Sequence, residues 1–152
     1  MRYQVTFATL ALVSALTIPV WAASPDDKDA DQQSIAALEA RINQAQPREQ
    51  CYLYAELIHQ MSEVSLRQYT AGDVPKASAL LREIQNIAHK MHLAVGGNDK
   101  RLKNAEILLR RTAFRLNDLL HSSDAEDRAL VEATLAQVNQ ADNDAMMQVF
   151  KK

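Results

Sequence analysis

Apolar residues recur along this chain at intervals of three and four, the spacing that places them on one face of a helix. The pattern predicts long helices over about 48–70, 74–95, 99–121 and 124–149, and a shorter one over about 32–46. The positions predicted to face the core are Ile35, Leu38, Ile42, Leu53, Tyr54, Leu57, Ile58, Met61, Val64, Ala77, Leu80, Leu81, Ile84, Ile87, Ala88, Met91, Leu102, Ala105, Leu109, Ala113, Leu116, Leu120, Val131, Thr134, Val138, Ala141, Ala145 and Val149.

Helix-stopping residues separate these stripes. Gly72 suits the left-handed position that ends a helix, Asp73 suits the N-cap that follows, and Pro75 falls in the first turn of the next helix. Gly96–Gly97 forms the next joint, with Asn98 or Asp99 as the cap. Residues 123–126 (Ser-Asp-Ala-Glu) match a capping box.

Residues 71–77 (Ala-Gly-Asp-Val-Pro-Lys-Ala) resemble the turn of a tetratricopeptide-type helical hairpin. The resemblance covers the turn alone, because the flanking helices are too long for a unit of about 34 residues and no second copy is seen. The chain is therefore predicted to be all-α, as an up-down four-helix bundle with an additional short N-terminal helix.

Composition supports helices and one domain. The chain has 152 residues, enough for a single hydrophobic core, but only three Gly and four Pro. A fold built from strands would need many more turn residues, so an all-β architecture is excluded.

The first residues are typical of a secretory signal peptide. Arg2 precedes an apolar run over 5–16, and Val20-Trp21-Ala22 offers a small residue at the cleavage position. A retained membrane anchor is the alternative, but the run is short for a membrane span. We therefore expect an exported protein, either periplasmic or extracellular.

Three segments follow from this interpretation. Residues 1–22 are the signal peptide, 23–34 a polar, disordered leader, and 35–152 the helical bundle domain.

Net charge argues against a nucleic-acid partner. The chain has 17 basic and 19 acidic residues, and cleavage after Ala22 removes one basic residue, Arg2, leaving a net charge of −3. Cys51, the single cysteine, allows no internal disulfide. It is predicted to be a half-buried small side chain or, alternatively, to form an intermolecular disulfide.

No catalytic constellation is visible, and neither an enzyme activity nor a cofactor is predicted. His121 beside Ser122 is not a triad, because no carboxylate is placed to orient the histidine. There is no glycine-rich phosphate loop. Asp142 is the acid nearest to an inward face, and it stands alone there.

Histidines give weak metal hypotheses. His89 and His92 are three apart and could hold a metal from one side, but two ligands do not complete a site. A third ligand could come from His121 or from an acid on a neighbouring helix. Glu56 and His59 have the spacing used in di-iron bundles, yet periodicity places them on the outer face, where a solvated surface is expected.

Ile107 and Phe114 are seven residues apart, so they share a face, and that face is almost opposite the core stripe of their helix. The helix also carries many basic residues, which the sequence spreads around its circumference. The short N-terminal helix is expected to cover Ile107 and Phe114. The alternative cover is a partner protein or a second copy of this chain.

The leading functional hypothesis is an exported, non-enzymatic protein with an interaction or envelope-structural role, acting through Ile107 and Phe114, with homodimerisation as one form. A metal- or small-ligand-binding bundle using His89 and His92 is the alternative.

Overall fold

The described residues are helical almost throughout. The computed structural model describes residues 25–95 and 100–151, so the predicted signal peptide and the predicted joint at 96–99 lie outside them. The helices of this part of the chain are α1 Pro25–Gln44, α2 Pro47–Thr70, α3 Val74–Ala94, α4 Leu102–Ser122 and α5 Ala125–Phe150. The all-α prediction is confirmed.

The joint between α2 and α3 is formed as predicted. Gly72 has a φ of 78°, and a Cβ added there would meet nothing within 4 Å, so glycine serves this turn through its conformation rather than its size. Asp73 takes the N-cap position of α3. Its carboxylate lies 2.9 Å from Lys76 Nζ, and the hydrogen bond from Lys76 lowers the pKa of Asp73.

The capping box predicted at 123–126 is not formed. Asp124 is the N-cap of α5 but makes no side-chain hydrogen bond to the helix. The Ser123 hydroxyl donates instead to the Leu119 carbonyl oxygen at 2.6 Å. It therefore provides a hydrogen bond to a carbonyl at the end of α4 and not to an N–H group at the start of α5. Acidic residues in the first turn of α5 still favour the positive end of the helix dipole.

Two antiparallel hairpins, α2/α3 and α4/α5, are stacked side by side. Helix α2 lies against α4, and α3 lies against α5. Side-chain hydrogen bonds between the hairpins join residues 49 to 53 positions apart along the whole stack, from Lys100–Glu49 to Arg115–Glu63. A constant separation means that α2 runs parallel to α4 and α3 runs parallel to α5.

This arrangement differs from a bundle in which consecutive helices are all neighbours. Within the described residues, α3 does not contact α4, and α2 does not contact α5. The all-helical class is therefore confirmed, but the specific up-down four-helix bundle is not. In α-solenoids, too, helical hairpins stack so that equivalent helices of neighbouring hairpins run parallel. The hairpins of this chain are longer than a tetratricopeptide unit.

Helix α1 is longer than predicted and lies along α2 alone. Residues 25–34, expected to be a disordered leader, form its first half. Arg67 of α2 donates to Asp31 at 2.6 Å, and Leu38 and Ile42 are buried at 5% and 4% exposure. The contact of Asp31 with Arg67 supports the extra turns, because an isolated polar helix of this length would be marginal in water.

The core lies between the hairpins. Every residue predicted to face inward is buried or partly buried against it. Met61 and Met91 are at most 1% exposed. Thr112 and Thr134 are both fully buried and bring hydroxyl groups into the interior, as do the buried Ser62 and Ser65.

Candidate interaction surfaces

The α4 side chains Ile107 and Phe114 are exposed, at 45% and 66%. The N-terminal helix was expected to cover them, but α1 contacts α2 and not α4. That expectation is wrong because Leu38 and Ile42, which were to supply the cover, are buried on the core side of α1 against α2.

Cationic side chains accompany these two apolar residues along one line of α4. Lys103, Ile107 and Phe114 are linked through either Arg110 or Arg111 by steps of three or four residues, and all five side chains are exposed. We call this set the α4 stripe. The sequence analysis described the basic residues as spread around the helix and missed the stripe, because periodicity does not show which side of α4 stays uncovered.

An open groove lies between α1 and α3, with α2 as its floor. Its volume is about 1060 Å³. The residues that line it are Asp27, Lys28, Asp29, Ala30, Asp31, Gln32, Ile35, Ala36, Glu39, Val64, Arg67, Gln68, Ala71, Asp73, Lys76, Ala79, Leu80 and Glu83. We call it the α1–α3 groove. Nothing in the sequence pattern indicated it, because it depends on the distance that α1 keeps from α3.

The α1–α3 groove combines apolar side chains with negative charge. Ile35, Val64 and Leu80 supply apolar surface, and six acidic residues face three basic ones. Two of those bases are already paired, Arg67 with Asp31 and Lys76 with Asp73. Glu39 and Glu83 take part in no ion pair of the described residues, so the rim of the groove is acidic.

A polar contact joins α2 to α4 in the middle of the stack. His59 Nδ1 lies 2.9 Å from Thr112 Oγ1, whose own hydrogen is directed to the Leu108 carbonyl oxygen at 2.9 Å. The hydroxyl therefore accepts from His59, which identifies Nδ1 as the protonated nitrogen of the neutral ring. Burial lowers the pKa of His59, since the imidazolium would be poorly solvated there.

The outer face of α2 is an interface on two sides and not the solvated surface that periodicity indicated. Arg115 of α4 donates to both oxygens of Glu63 at 3.0 and 3.3 Å, and this bond raises the pKa of Arg115. Arg41 of α1 lies 4.0 Å from Glu56. The spacing of Glu56 and His59 thus serves contacts between helices.

The sequence suggested that Asp142 stands alone. In the structure it lies near Glu106 of α4. Glu106 is 9% exposed and pairs with Arg110. Burial raises the pKa of Asp142, and the negative charge of Glu106 raises it further. Asp142 Oδ1 is buried and has no hydrogen-bond partner among the described residues. The position of Asp142 at this interface therefore disfavours its charged form.

The structure places His92 against α5. Its Nδ1 pairs with Asp144 Oδ2, and the other oxygen of Asp144 accepts from Gln140 at 3.2 Å. The His89 ring is stacked on His92 at a centroid distance of 6.4 Å. His121 lies on α4, which does not contact α3. No group of three metal-ligating side chains forms within residues 25–95 and 100–151.

Cys51 is fully buried, at 0% exposure near the start of α2. It was predicted to be half-buried or to form an intermolecular disulfide. A disulfide with a second molecule would require this part of α2 to open, because the thiol does not reach the surface. The structure therefore gives the side chain a packing role in the core.

Comparison of the chain with protein-family models, with curated proteins and with solved structures finds no match. In the part of the chain that the structure describes, no helix combines the length and apolar character that a bilayer crossing needs.

Proposed function

We propose that this chain is an exported, non-enzymatic protein that works by protein–protein contact through the α4 stripe. The observation that carries the proposal is the exposure of Phe114 and Ile107 on a helix whose other sides are packed. Aromatic and arginine side chains are enriched at protein interfaces, and the stripe presents both in one line.

The contacts of two histidines support a structural rather than a catalytic role. His59 is held by Thr112, and His92 by Asp144, so both imidazoles are occupied by contacts between helices. The signal-like pattern at 1–22 supports export to the periplasm or the exterior.

Metal or small-ligand binding, the alternative hypothesis, has less support. Within residues 25–95 and 100–151 no third metal-ligating side chain joins His89 and His92 in a group that could hold a metal. The alternative predicts that a titration with Zn²⁺ or Ni²⁺ shows tight binding that His92→Ala abolishes.

Site-specific photo-crosslinking tests the proposed surface. A photoreactive residue at position 114, in the cell that makes the protein, is expected to form discrete crosslinked products. The same residue at Gln137, which is exposed on α5 outside the stripe, is the matched control and is expected to form none. Equal products from both positions, or none from either, would contradict an interaction through the α4 stripe.

A further inference from the structure

The α4 stripe and the α1–α3 groove lie on opposite sides of the stack. Thr112 marks the side of α4 that contacts α2, and Phe114 is two residues further on, about 200° around the helix. His59 marks the side of α2 that contacts α4, and Gln68 of the groove is nine residues further on, about 180° around. One molecule can therefore present both surfaces at once, facing in opposite directions.

The groove corresponds to a missing helix in the stack. Helix α2 is covered on its far side by α1, whereas α3 contacts α2 and α5 and no other helix of the described residues. The stack consists of layers of helices. Each hairpin forms a layer of two helices, but the layer that contains α1 has only that one helix among the described residues. The space beside α1 is bounded by helices on three sides, so a helix is the occupant that fits its shape.

Length and charge select the kind of helix. The groove follows α1 from Asp27 to Glu39, a rise of about 18 Å, and the α4 stripe extends from Lys103 to Phe114, a rise of about 16 Å. The groove has an acidic rim around apolar surface, and the stripe has cationic residues around Ile107 and Phe114. The two surfaces are complementary in sign and in apolar content.

We propose that the occupant of the α1–α3 groove is the α4 stripe of a second copy of this chain. The contact is head-to-tail, since two different surfaces meet, and it repeats from copy to copy as a continuation of the hairpin stack. This inference rests on the proposed function and names the partner of the α4 stripe.

Charge reversal of each surface gives a direct test. One variant carries Glu39→Lys and Glu83→Lys in the groove, and the other carries Lys103→Glu and Arg111→Glu in the stripe. The average mass of the wild-type chain, from sedimentation equilibrium, is expected to rise with concentration up to about 1 mM. Each variant alone is expected to stay monomeric, because its groove and stripe then have the same sign.

An equimolar mixture of the two variants is expected to associate again. The intact groove of the stripe variant then meets the intact stripe of the groove variant, and the two reversed surfaces also attract each other. The control variant, Glu126→Lys with Glu132→Lys, makes the same charge change as the groove variant, on exposed α5 residues, and is expected to associate like the wild type. Circular dichroism verifies that all the variants fold.

The outcomes separate this inference from the proposed function. A wild-type chain that stays monomeric, variants that associate like the wild type, or a mixture that stays monomeric would each overturn the head-to-tail contact. If position 114 nevertheless crosslinks to a different protein, the interaction role of the stripe stands and only its assignment to a second copy fails.

Discussion

Helices α2 and α4 occupy equivalent places in the two hairpins, yet they differ on the side that faces neither the hairpin partner nor the other hairpin. Each packs against its hairpin partner and against the other, in parallel. The remaining side of α2 is covered by α1 and by the charged residues that join them. The remaining side of α4 is bare, and it holds Phe114 at 66% exposure.

The difference shows that a polar helix face can be either an interface with another helix or a solvent-exposed surface. Glu63 and His59 look like surface residues in the sequence of α2, but they bond to Arg115 and Thr112 of the neighbouring helix. On α4 an equally polar face stays in solvent and includes two large apolar side chains. Long cationic and acidic side chains can serve an interface or a surface equally well.

The largest expected effect comes from a matched pair of isoleucines on α1 and α4. Ile42→Ala removes a side chain that is 4% exposed and is expected to lower the free energy of unfolding by about 2–4 kcal/mol. Ile107→Ala changes a side chain that is 45% exposed and is expected to cost about 0.5 kcal/mol or less. Urea unfolding measures both, and equal losses would mean that α4 is covered like α2.

Thr112→Val tests the bond between the two helices with little change in shape. The hydroxyl is fully buried, and its loss leaves His59 Nδ1 without its acceptor. We expect a cost of about 1–2 kcal/mol in the free energy of unfolding. Thr134→Val in the equivalent α3–α5 contact is the comparison, since Gln85 there is also left unpaired. No loss in the Thr112 variant would show that the α2–α4 contact does not depend on this bond.

Asp142→Asn is expected to stabilise the protein at neutral pH by about 1 kcal/mol, because a buried, charged acceptor becomes neutral. The pKa of Asp142 is raised by folding, so ionisation costs stability as pH rises from about 3.8 through the folded pKa. The advantage of Asn should therefore shrink as the pH approaches that lower limit. Denaturant titrations at several pH values measure it, and a gain that is independent of pH would contradict this explanation.

His59 predicts a dependence on pH in the opposite direction. Folding lowers its pKa, so its contribution is complete above about 6.5, the unfolded value, and is lost as pH falls through the folded pKa. The slope should stay below about 1.4 kcal/mol per pH unit, the limit for one proton, because the ring is only half-buried. His59→Gln should flatten stability between about pH 5 and 7. An unchanged slope would assign the effect to other groups.

Much of the fold was predictable, and most of the interaction surfaces were not. The inward residues of α2, α3, α4 and α5 follow from spacing, and Gly72 marks a turn that only its conformation explains. The extent of α1 was wrong, because its polar first half depends on contacts such as Asp31 with Arg67. The unusual position of Ile107 and Phe114 was identified from the sequence, but the prediction that the N-terminal helix covers them was wrong.

The sequence by itself determined the all-helical class, the Gly72 turn and the sides that face inward, because periodicity and turn residues act over a few positions. Tertiary structure alone decided that α2 lies parallel to α4, that α1 leaves α3 uncovered, and that the α4 stripe stays exposed. An apolar stripe determines that a helix side must be buried, but it does not determine which neighbour buries it. That choice depends on how stripes, bonds such as His59–Thr112 and the remaining spaces fit together in three dimensions.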